Sequence, residues 1–511
     1  MELRPMQIHP NMTHKWLQPL DRVAILLILG LSVLIGLLLW SGDHTAPRVR
    51  DFSWQDKQIG AEDTAFILTF NRPMDRASVE SRLRIAPPLP GKISWAGRRM
   101  AYTLNQPASY GSTFQVQLQE ASDRFSANRA QPNLIQPFVG KFTTRDHAFI
   151  CLGVEGDDAG RLVLYNLTQQ EKTVLTPPEL AVADFQPYPL GDRILFSATQ
   201  RDARRQASFD PKLYTVSTGI HVDSPVQQSS DRSAPGKIKL ILDNTDAQIL
   251  KFDLSPDGQT IVVQRANRQN LSQSGLWLIQ DDASPQLLNN QPGGDFLITP
   301  DSTALTIAQG QGLAVLPLKP QTASQPLDFL PKFGTVLNFA RDGSAAAMVK
   351  FNTDYTRSLF WVTNQGIQKE VLRTTGSIFS AQFDPLNQIL YCLLTQILPG
   401  SEYRERPYIA AIDLRTSKLN PLVILPVQRD LQISLAADGT ALLFDQTTTG
   451  TSQLEGRPQI EPKTTSKLWL LPLQLSDQST FSSQPTQSRD LSANTAPEAL
   501  PFSGAHPRWL P

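Results

Sequence analysis

The chain has 511 residues, which is enough for two or three domains of ordinary size. Lys plus Arg and Asp plus Glu each occur 47 times, so no excess of positive charge would attract nucleic acid, and we expect no nucleic-acid partner. The only two cysteines, Cys151 and Cys392, lie in apolar strand-like runs. Their spacing excludes a cysteine zinc site and predicts buried thiols, with a disulfide between them as the alternative.

An uncharged apolar run of 18 residues, VAILLILGLSVLIGLLLW, occupies positions 23–40. As a helix rising about 1.5 Å per residue, it nearly matches a hydrocarbon core of roughly 30 Å. A cleaved signal peptide is the alternative, but its apolar part would be about 7–15 residues and would end in an A-x-A-like site. No such site follows Trp40, and we therefore predict a transmembrane helix over 23–40.

Basic residues lie on one side of this run only. Arg4, Lys15 and Arg22 precede it, and the next basic residue is Arg48. Because cytoplasmic flanks of membrane helices carry an excess of Lys and Arg, residues 1–22 are predicted to be a cytoplasmic tail. The rest of the chain then lies in the periplasm or another extracytoplasmic space.

Residues 45–145 alternate short β-rich runs, such as Ala65–Phe70 and Thr113–Leu118, with Pro/Gly turns. Alternation at a period of two, with turn signals about every ten residues, predicts a small β-sandwich. The phrase Phe70-Asn71-Arg72-Pro73-Met74-Asp75 and the closing Phe142-Thr143-Thr144 resemble the bacterial Ig-like domain of SbsA-type S-layer proteins. The resemblance implies a spacer or adhesion module without catalytic residues. The long polar segment 121–137 departs from that family.

A sequence repeat occupies residues 147–473. An apolar run, a Pro-Asp-Gly-like turn and a second apolar run recur every 41 to 52 residues, beginning at Leu254, Ile298, Phe339, Phe383 and Leu435, with a weaker copy at Phe185. This period is that of a four-stranded propeller blade. In such a turn Asp caps the backbone and Gly takes the strained angle.

A further apolar run of similar composition follows each copy, and these runs predict seven blades in an all-β fold. They cover residues 162–165, 213–216, 276–279, 313–316, 359–362, 409–412 and 468–471. The first blade lacks an innermost strand, so we predict that 501–511 supplies it and closes the ring, which removes two open edges. A disordered tail is the alternative. The Ser/Gln/Thr-rich residues 474–500 are predicted to be a flexible linker.

The repeats resemble the TolB-type, WD40-like β-propeller family, whose members bind protein partners through the funnel and rims. The resemblance covers some 350 residues and implies a protein-interaction surface. Because the family has no shared active-site signature, it assigns no binding residue in this sequence.

The sequence contains only weak indications of a metal site or of a site for an acidic ligand. The close pairs His147 with Cys151 and His221 with Asp223 lack a matching second pair, so no metal site is predicted. Residues 155–160 could hold calcium but are more typical of a hairpin turn. The group Arg201, Arg204 and Arg205 could attract an acidic partner or a lipid headgroup, yet Asp202 dilutes it and a solvated loop is the simpler interpretation.

Catalytic motifs are absent from the sequence as well. Neither a G-x-S-x-G elbow nor a phosphate-binding glycine pattern occurs, although paired carboxylates from different blades could still converge. We therefore predict no catalytic, cofactor-binding or metal residues, no cofactor and no enzyme activity.

The sequence as a whole predicts a membrane-anchored, extracytoplasmic binding or scaffold protein with an envelope protein as partner. The alternative is a propeller hydrolase or lyase acting on envelope polysaccharide or peptide, and a third possibility is a purely structural envelope component. Acidic or His side chains meeting in the central funnel would favour the enzyme. A funnel lined by Ser, Thr and apolar groups would favour binding.

Overall fold

The computed structural model describes residues 19–40, 46–126, 132–201, 210–220, 234–270, 274–280, 283–289, 294–310, 312–318, 329–330, 332–400, 402–428, 430–450, 463–473 and 496–511. Within these ranges the chain is mostly β, with one long helix near the N-terminus. Most of the predicted cytoplasmic tail, 1–18, and most of the predicted linker, 474–495, lie outside the described residues.

The long helix, α1, spans Pro19–Trp40. Its described side chains cover 23–37, and the large apolar ones among them are 45% to 70% exposed, as in Ile25 and Leu26. Among the helices of the described residues, none combines the length and apolar character that a membrane crossing requires. The predicted span, 23–40, extends beyond the described side chains.

Eight strands and a short helix follow, and they are β1 (Val49–Phe52), β2 (Gln58–Ile59), β3 (Ala65–Phe70), α2 (Arg76–Arg82), β4 (Leu83–Ala86), β5 (Gly91–Ala96), β6 (Arg99–Leu104), β7 (Thr113–Leu118) and β8 (Phe138–Thr144). They form two four-stranded sheets, in the orders β1-β3-β6-β5 and β2-β8-β7-β4. Asp75 caps α2 by accepting the Ser78 N–H at 3.2 Å.

One hydrophobic core lies between these two sheets. The alternation of β3 buries Phe66, Leu68 and Phe70, whereas the residues between them face outward. Phe114 and Phe142 stack on each other from the opposite sheet, with ring centroids 5.1 Å apart. We call this two-sheet region, residues 46–145, the N-terminal unit.

The remaining described chain forms seven further four-stranded antiparallel sheets. The strands after the N-terminal unit are β9 (Ala148–Leu152), β10 (Leu162–Asn166) and β11 (Glu171–Val174); β12 (Leu180–Pro187), β13 (Arg193–Gln200), β14 (Lys212–Ser217) and β15 (Ile238–Leu242); β16 (Ala247–Leu254), β17 (Thr260–Asn267), β18 (Ser274–Gln280) and β19 (Gln286–Asn289); β20 (Phe296–Ile298), β21 (Ala304–Gln309), β22 (Gly312–Pro317) and β23 (Phe329–Leu330); β24 (Thr335–Phe339), β25 (Ala345–Phe351), β26 (Arg357–Thr363) and β27 (Gln368–Thr374); β28 (Ile378–Phe383), β29 (Ile389–Ile397), β30 (Glu405–Asp413) and β31 (Leu419–Ile424); β32 (Ile433–Leu435), β33 (Ala441–Gly450), β34 (Lys463–Pro472) and β35 (Glu498–Ser503); and β36 (Ala505–Trp509).

We number these seven sheets one to seven in chain order, leaving out the two sheets of the N-terminal unit. Sheets two to seven each contain four strands that follow one another in the chain. The first sheet has the order β11-β10-β9-β36, so the last strand of the chain pairs antiparallel with the first strand of the repeat. Trp509 lies opposite Phe149 in this pairing. This strand, Ala505–Trp509, covers only part of the predicted range 501–511. Residues 501–503 belong instead to β35 of the seventh sheet, which begins at Glu498 within the predicted linker 474–500. The seven apolar runs from which seven blades were predicted, such as 276–279, each lie in the third strand of their sheet. In the first sheet, β36 is counted as the first strand.

The innermost strands of the sheets contact one another in sequence around a ring, and side chains join several of these contacts. Gln382 on β28 accepts the Leu435 N–H at 2.8 Å and donates to the Ile433 carbonyl at 2.9 Å. Similar bridges join Gln186 to Leu254 N, Asp253 to Ile298 N, Ser434 to Trp509 N, and Arg508 to Asp184. These contacts place the inner strands of successive sheets next to one another.

The recurring turn has the chemistry predicted for it. In the third sheet, Asp257 Oδ1 accepts the Gln259 N–H at 3.0 Å and Gly258 has a φ of 72°. A side chain at Gly258 would also meet Pro189 of the preceding sheet. The Asp cap and the strained Gly are thus confirmed, and they also allow neighbouring sheets to approach closely.

Both cysteines are free and buried, as predicted. Burial raises the pKa of the Cys151 and Cys392 thiols far above the ordinary value, so neither is a nucleophile at neutral pH. They pack as small apolar side chains in the cores of the first and sixth sheets.

Candidate functional site

The strand order gives each sheet two different ends. Because consecutive strands are antiparallel, the turns from first to second and from third to fourth strand lie at one end, which we call the turn face. The hairpins from second to third strand and the connections to the next sheet lie at the other end, which we call the rim face.

The turn face carries the N-terminal unit. Asp438, in the first turn of the seventh sheet, is fully buried and accepts the Tyr110 N–H at 2.8 Å. The same carboxylate oxygen lies 2.9 Å from His147 Nε2. Arg145 Nη1 donates to the Pro511 carbonyl at 3.1 Å, and the Arg341 guanidinium lies 3.9 Å from the Glu62 carboxylate.

Asp438 holds the two regions together as an anion. Its burial favours the neutral form, but the hydrogen bond and charge of His147 and the N–H groups of Tyr110 and Thr440 outweigh this and hold the pKa of Asp438 below its ordinary value. His147, which the sequence raised as a possible metal ligand, is therefore part of a contact between two regions. Its ring also packs edge-on against Trp509, at 5.2 Å between centroids.

A cavity of about 1250 Å³ opens in the rim face, between the sixth and seventh sheets, and continues into the ring. It is larger than the roughly 300–1000 Å³ of most small-molecule sites. Hydroxyl and amide side chains form the largest polar group of its lining: Gln186, Ser377, Ser380, Gln382, Thr395, Gln428, Gln432 and Ser434. The charged lining residues are Arg357, Arg404, Glu405, Asp430, His506 and Arg508.

Three of the residues that line this cavity, Phe379, Tyr403 and Val427, are exposed and carry large apolar or aromatic side chains. Tyr355 is 92% exposed and Tyr403 is 70% exposed, and both lie in hairpins between second and third strands. We define the rim patch as Phe351, Tyr355, Phe379, Ile397, Tyr403, Ile424 and Val427, all of which are exposed. The patch lies at the rim ends of the fifth and sixth sheets only, because these residues begin, end or connect their strands.

A β-bulge explains how Phe379 reaches the mouth. The pairing of β28 with β29 shifts between Ile378 and Ser380, which leaves Phe379 as the extra residue. A bulge re-aims a side chain that regular alternation would pair with a neighbour. Phe379 is 59% exposed and lines the cavity.

Glu405 is held at the mouth by hydroxyl groups. Its carboxylate accepts from Thr395 Oγ1 at 2.6 Å, from Ser377 Oγ at 3.2 Å and from the Tyr403 hydroxyl. Burial opposes its ionisation, but these bonds and the neighbouring Arg357 outweigh burial and hold the pKa of Glu405 below its ordinary value. Glu405 is therefore an anion at neutral pH, with its oxygens occupied by its own neighbours, and it is poorly suited to be a general acid.

The described residues include no group of three or more His, Cys, Asp or Glu side chains arranged to hold a metal ion. Residues 155–160 lie in the connection between β9 and β10, where Gly156–Asp158 is a short 3-10 turn. Arg201 donates to the Ala159 carbonyl beside it. Arg204, Arg205, His221 and Asp223 lie outside the described residues.

Sequence reasoning missed the rim patch, the cavity and the bridging role of Gln382. A partial signal for the bridges was present at one repeat position before the turn. It is polar in five copies, as Gln186, Asp253, Asn338, Gln382 and Ser434, but it is Leu297 in the copy at Ile298. A polar residue at a fixed position of an inner strand is unexpected unless it has a partner. The rim patch left no such periodic signal.

No protein-family model matches the sequence, and no curated protein matches it. Solved structures with a similar fold include TolB from Acinetobacter baumannii, with a TM-score of 0.39 and 10% identity over 84% of this chain and 83% of that chain. A putative TolB from Agrobacterium tumefaciens has a TM-score of 0.36 and 12% identity over 55% of this chain and 90% of that one. A putative 6-phosphogluconolactonase from Bacteroides fragilis has a TM-score of 0.39 and 12% identity over 63% and 90%. Similarities below a TM-score of 0.5 do not indicate function.

Proposed function

We propose that this protein is a membrane-anchored, extracytoplasmic binding or scaffold protein that recognises an envelope protein through its rim face. In this proposal the seven sheets are the blades of a TolB-type propeller. The N-terminal unit is an Ig-like spacer between the propeller and the membrane.

The observation that carries the proposal is the rim patch, of which Phe379, Tyr403 and Val427 line the cavity. Exposed apolar groups that gather at one place on a surface mark interaction sites, and Tyr, Phe and Arg are the residues that dominate binding energy at protein interfaces. The patch and the cavity together offer both a surface for contact and a recess for an anchoring side chain.

The two ends of the sheets support the same assignment. Asp438, Pro511 and Arg341 of the turn face contact the N-terminal unit. The rim face lies at the opposite end and is therefore directed away from that unit, where a partner in the extracytoplasmic space can approach it.

Helix α1 supports membrane attachment. Its large apolar side chains between Val23 and Leu37 are exposed, and burying each of them in an apolar phase is worth about 1.5–3 kcal/mol. A lipid environment for the run 23–40 would remove this apolar surface from water.

The enzyme alternative receives less support. A glycoside hydrolase needs two carboxyl groups that flank the scissile bond, one of them with a raised pKa so that it acts as the acid. Of the two carboxylates in the described cavity lining, Glu405 already accepts from three hydroxyl groups and has a lowered pKa.

In-cell photo-crosslinking of the full chain tests the proposal. A benzophenone amino acid replaces Tyr403 at the rim patch or, as the matched control, Ile367, which is 54% exposed in a turn-face connection of the fifth sheet. We expect a discrete crosslinked polypeptide from position 403 and none from position 367. Crosslinks from both positions alike, or from neither, would contradict a partner at the rim face.

A further inference from the structure

Hydrogen-bond donors outnumber free acceptors among the charged groups of the cavity. Three guanidinium groups, those of Arg357, Arg404 and Arg508, line it together with two carboxylates. The Glu405 oxygens are already occupied by three hydroxyl groups. Glu405 therefore has less capacity left to accept from a ligand than a carboxylate without such neighbours.

The guanidinium groups keep most of their donors. Arg357 uses Nη1 on the carbonyl oxygens of Thr375 and Gly376, at 3.3 and 3.0 Å. Arg508 reaches Asp184 through Nη2 at a long 3.4 Å. Among the described residues, the exposed Arg404 side chain has no ion pair, and it lies next to Tyr403 of the rim patch.

A guanidinium presents five donors in a planar fork that matches a carboxylate. Its preferred ligand at a protein interface is therefore an Asp or Glu side chain or a terminal carboxylate. Apolar groups beside the fork exclude water and strengthen such a contact.

From these contacts we infer that the partner presents a polypeptide segment in which a carboxylate stands next to apolar side chains. The carboxylate binds Arg404 at the cavity mouth, and the apolar side chains cover Tyr403, Phe379 and Val427. This inference rests on the proposed function, because it names the chemistry of the protein that the rim face binds.

The experiment measures binding by crosslinking from Tyr355 while the charge at Arg404 is changed. The benzophenone amino acid is placed at Tyr355 in the full chain, and crosslinking in cells is compared between the parent, Arg404→Glu, Arg404→Lys and Arg415→Glu. Arg415 is an equally exposed arginine in the same sheet but at the turn face, so it is the matched control. Thermal unfolding of each variant shows that the fold is retained.

We expect Arg404→Glu to reduce the yield of the crosslinked polypeptide at least fivefold, whereas Arg404→Lys and Arg415→Glu keep it within twofold of the parent. An unchanged yield in Arg404→Glu would overturn the acidic segment and leave the rim-face partner standing. No crosslink in the parent would instead remove the proposed function itself. A crosslinked lipid or glycan, identified by its mass, would overturn a polypeptide ligand.

Discussion

The two faces of the seven-sheet repeat are built from the same strands but differ in how their polar and apolar groups are used. On the turn face, short Asp-Gly turns satisfy their own backbone, and one turn Asp, Asp438, also binds the N-terminal unit. On the rim face, the connections of the fifth and sixth sheets expose tyrosine, phenylalanine and isoleucine side chains. The repeated sequence therefore marks the face whose turns stabilise the sheets, and the unrepeated sequence marks the face that exposes these apolar side chains.

The difference follows from what each face must do. A turn that recurs in each sheet has the same unpaired backbone N–H groups and the same backbone angles each time, so the same residue types, Asp and Gly, suit it. A loop that contacts a partner is constrained by that partner, and it needs no likeness to the loop of the next sheet.

The largest expected effect is at Asp438. Asp438→Ala removes the acceptor for the buried Tyr110 N–H and for His147, and we expect a loss of about 3 kcal/mol in the free energy of unfolding. Asp301→Ala is the matched control, because Asp301 has the same repeat position but is exposed, and its carboxylate accepts from Thr299 and Thr303 of its own turn; we expect it to cost less than about 1 kcal/mol. Urea unfolding of the full chain measures both, and equal losses would remove the distinction between a turn residue and an inter-region contact.

The pH dependence of the same contact gives a second test. The pKa of Asp438 is lowered in the folded protein, so its stabilising contribution is present above the unfolded value of 3.8 and is lost as the pH falls through the folded pKa. The stability difference between the parent and Asp438→Asn should therefore narrow as the pH is lowered below about 4.

Asp253 is the control, because its pKa is shifted in the opposite direction from that of Asp438. Burial raises its pKa in the folded protein, so the parent loses stability as the pH rises from 3.8 through the folded pKa. The free energy of unfolding of Asp253→Asn should therefore increase relative to that of the parent over this pH interval. The same pH response in both variants, measured by urea unfolding, would show that neither carboxyl has the environment assigned to it.

The smallest expected effect is on the rim. Tyr355 is 92% exposed, and Tyr355→Ser should change the free energy of unfolding by less than about 0.5 kcal/mol. Phe333→Ala is the contrasting variant in the connection that enters the fifth sheet, where the ring is 1% exposed, and it should cost about 3–4 kcal/mol. A large thermal destabilisation by Tyr355→Ser would mean that the rim patch supports the fold and is not kept for a partner.

Much of the fold could be predicted because its signals are local. The Asp-Gly turn and the burial of both cysteines each depend on residues close together in the chain, and these predictions are confirmed. Sheet pairing between neighbours in sequence is equally local, since the strands are joined by short turns. The bulge at Phe379 was not predicted, although equivalent register shifts occur in β12, β16 and β24, because a register shift depends on how two strands meet.

The membrane span over 23–40 and the envelope partner are still predictions. They concern surroundings of the chain, and neither lipid nor partner contributes to the contacts among the described residues. The crosslinking experiments address the partner directly.

By itself, the sequence determined the repeat, the chemistry of its turns and the apolar character of its buried strands, since these follow from backbone geometry and burial within short segments. Only the tertiary structure decided which turn would join the N-terminal unit and where the apolar rim would gather. Tyr110 and Asp438 are 328 residues apart in the chain. The order in which the strands pack brings such residues together, and no pattern within a short segment of sequence predicts that contact.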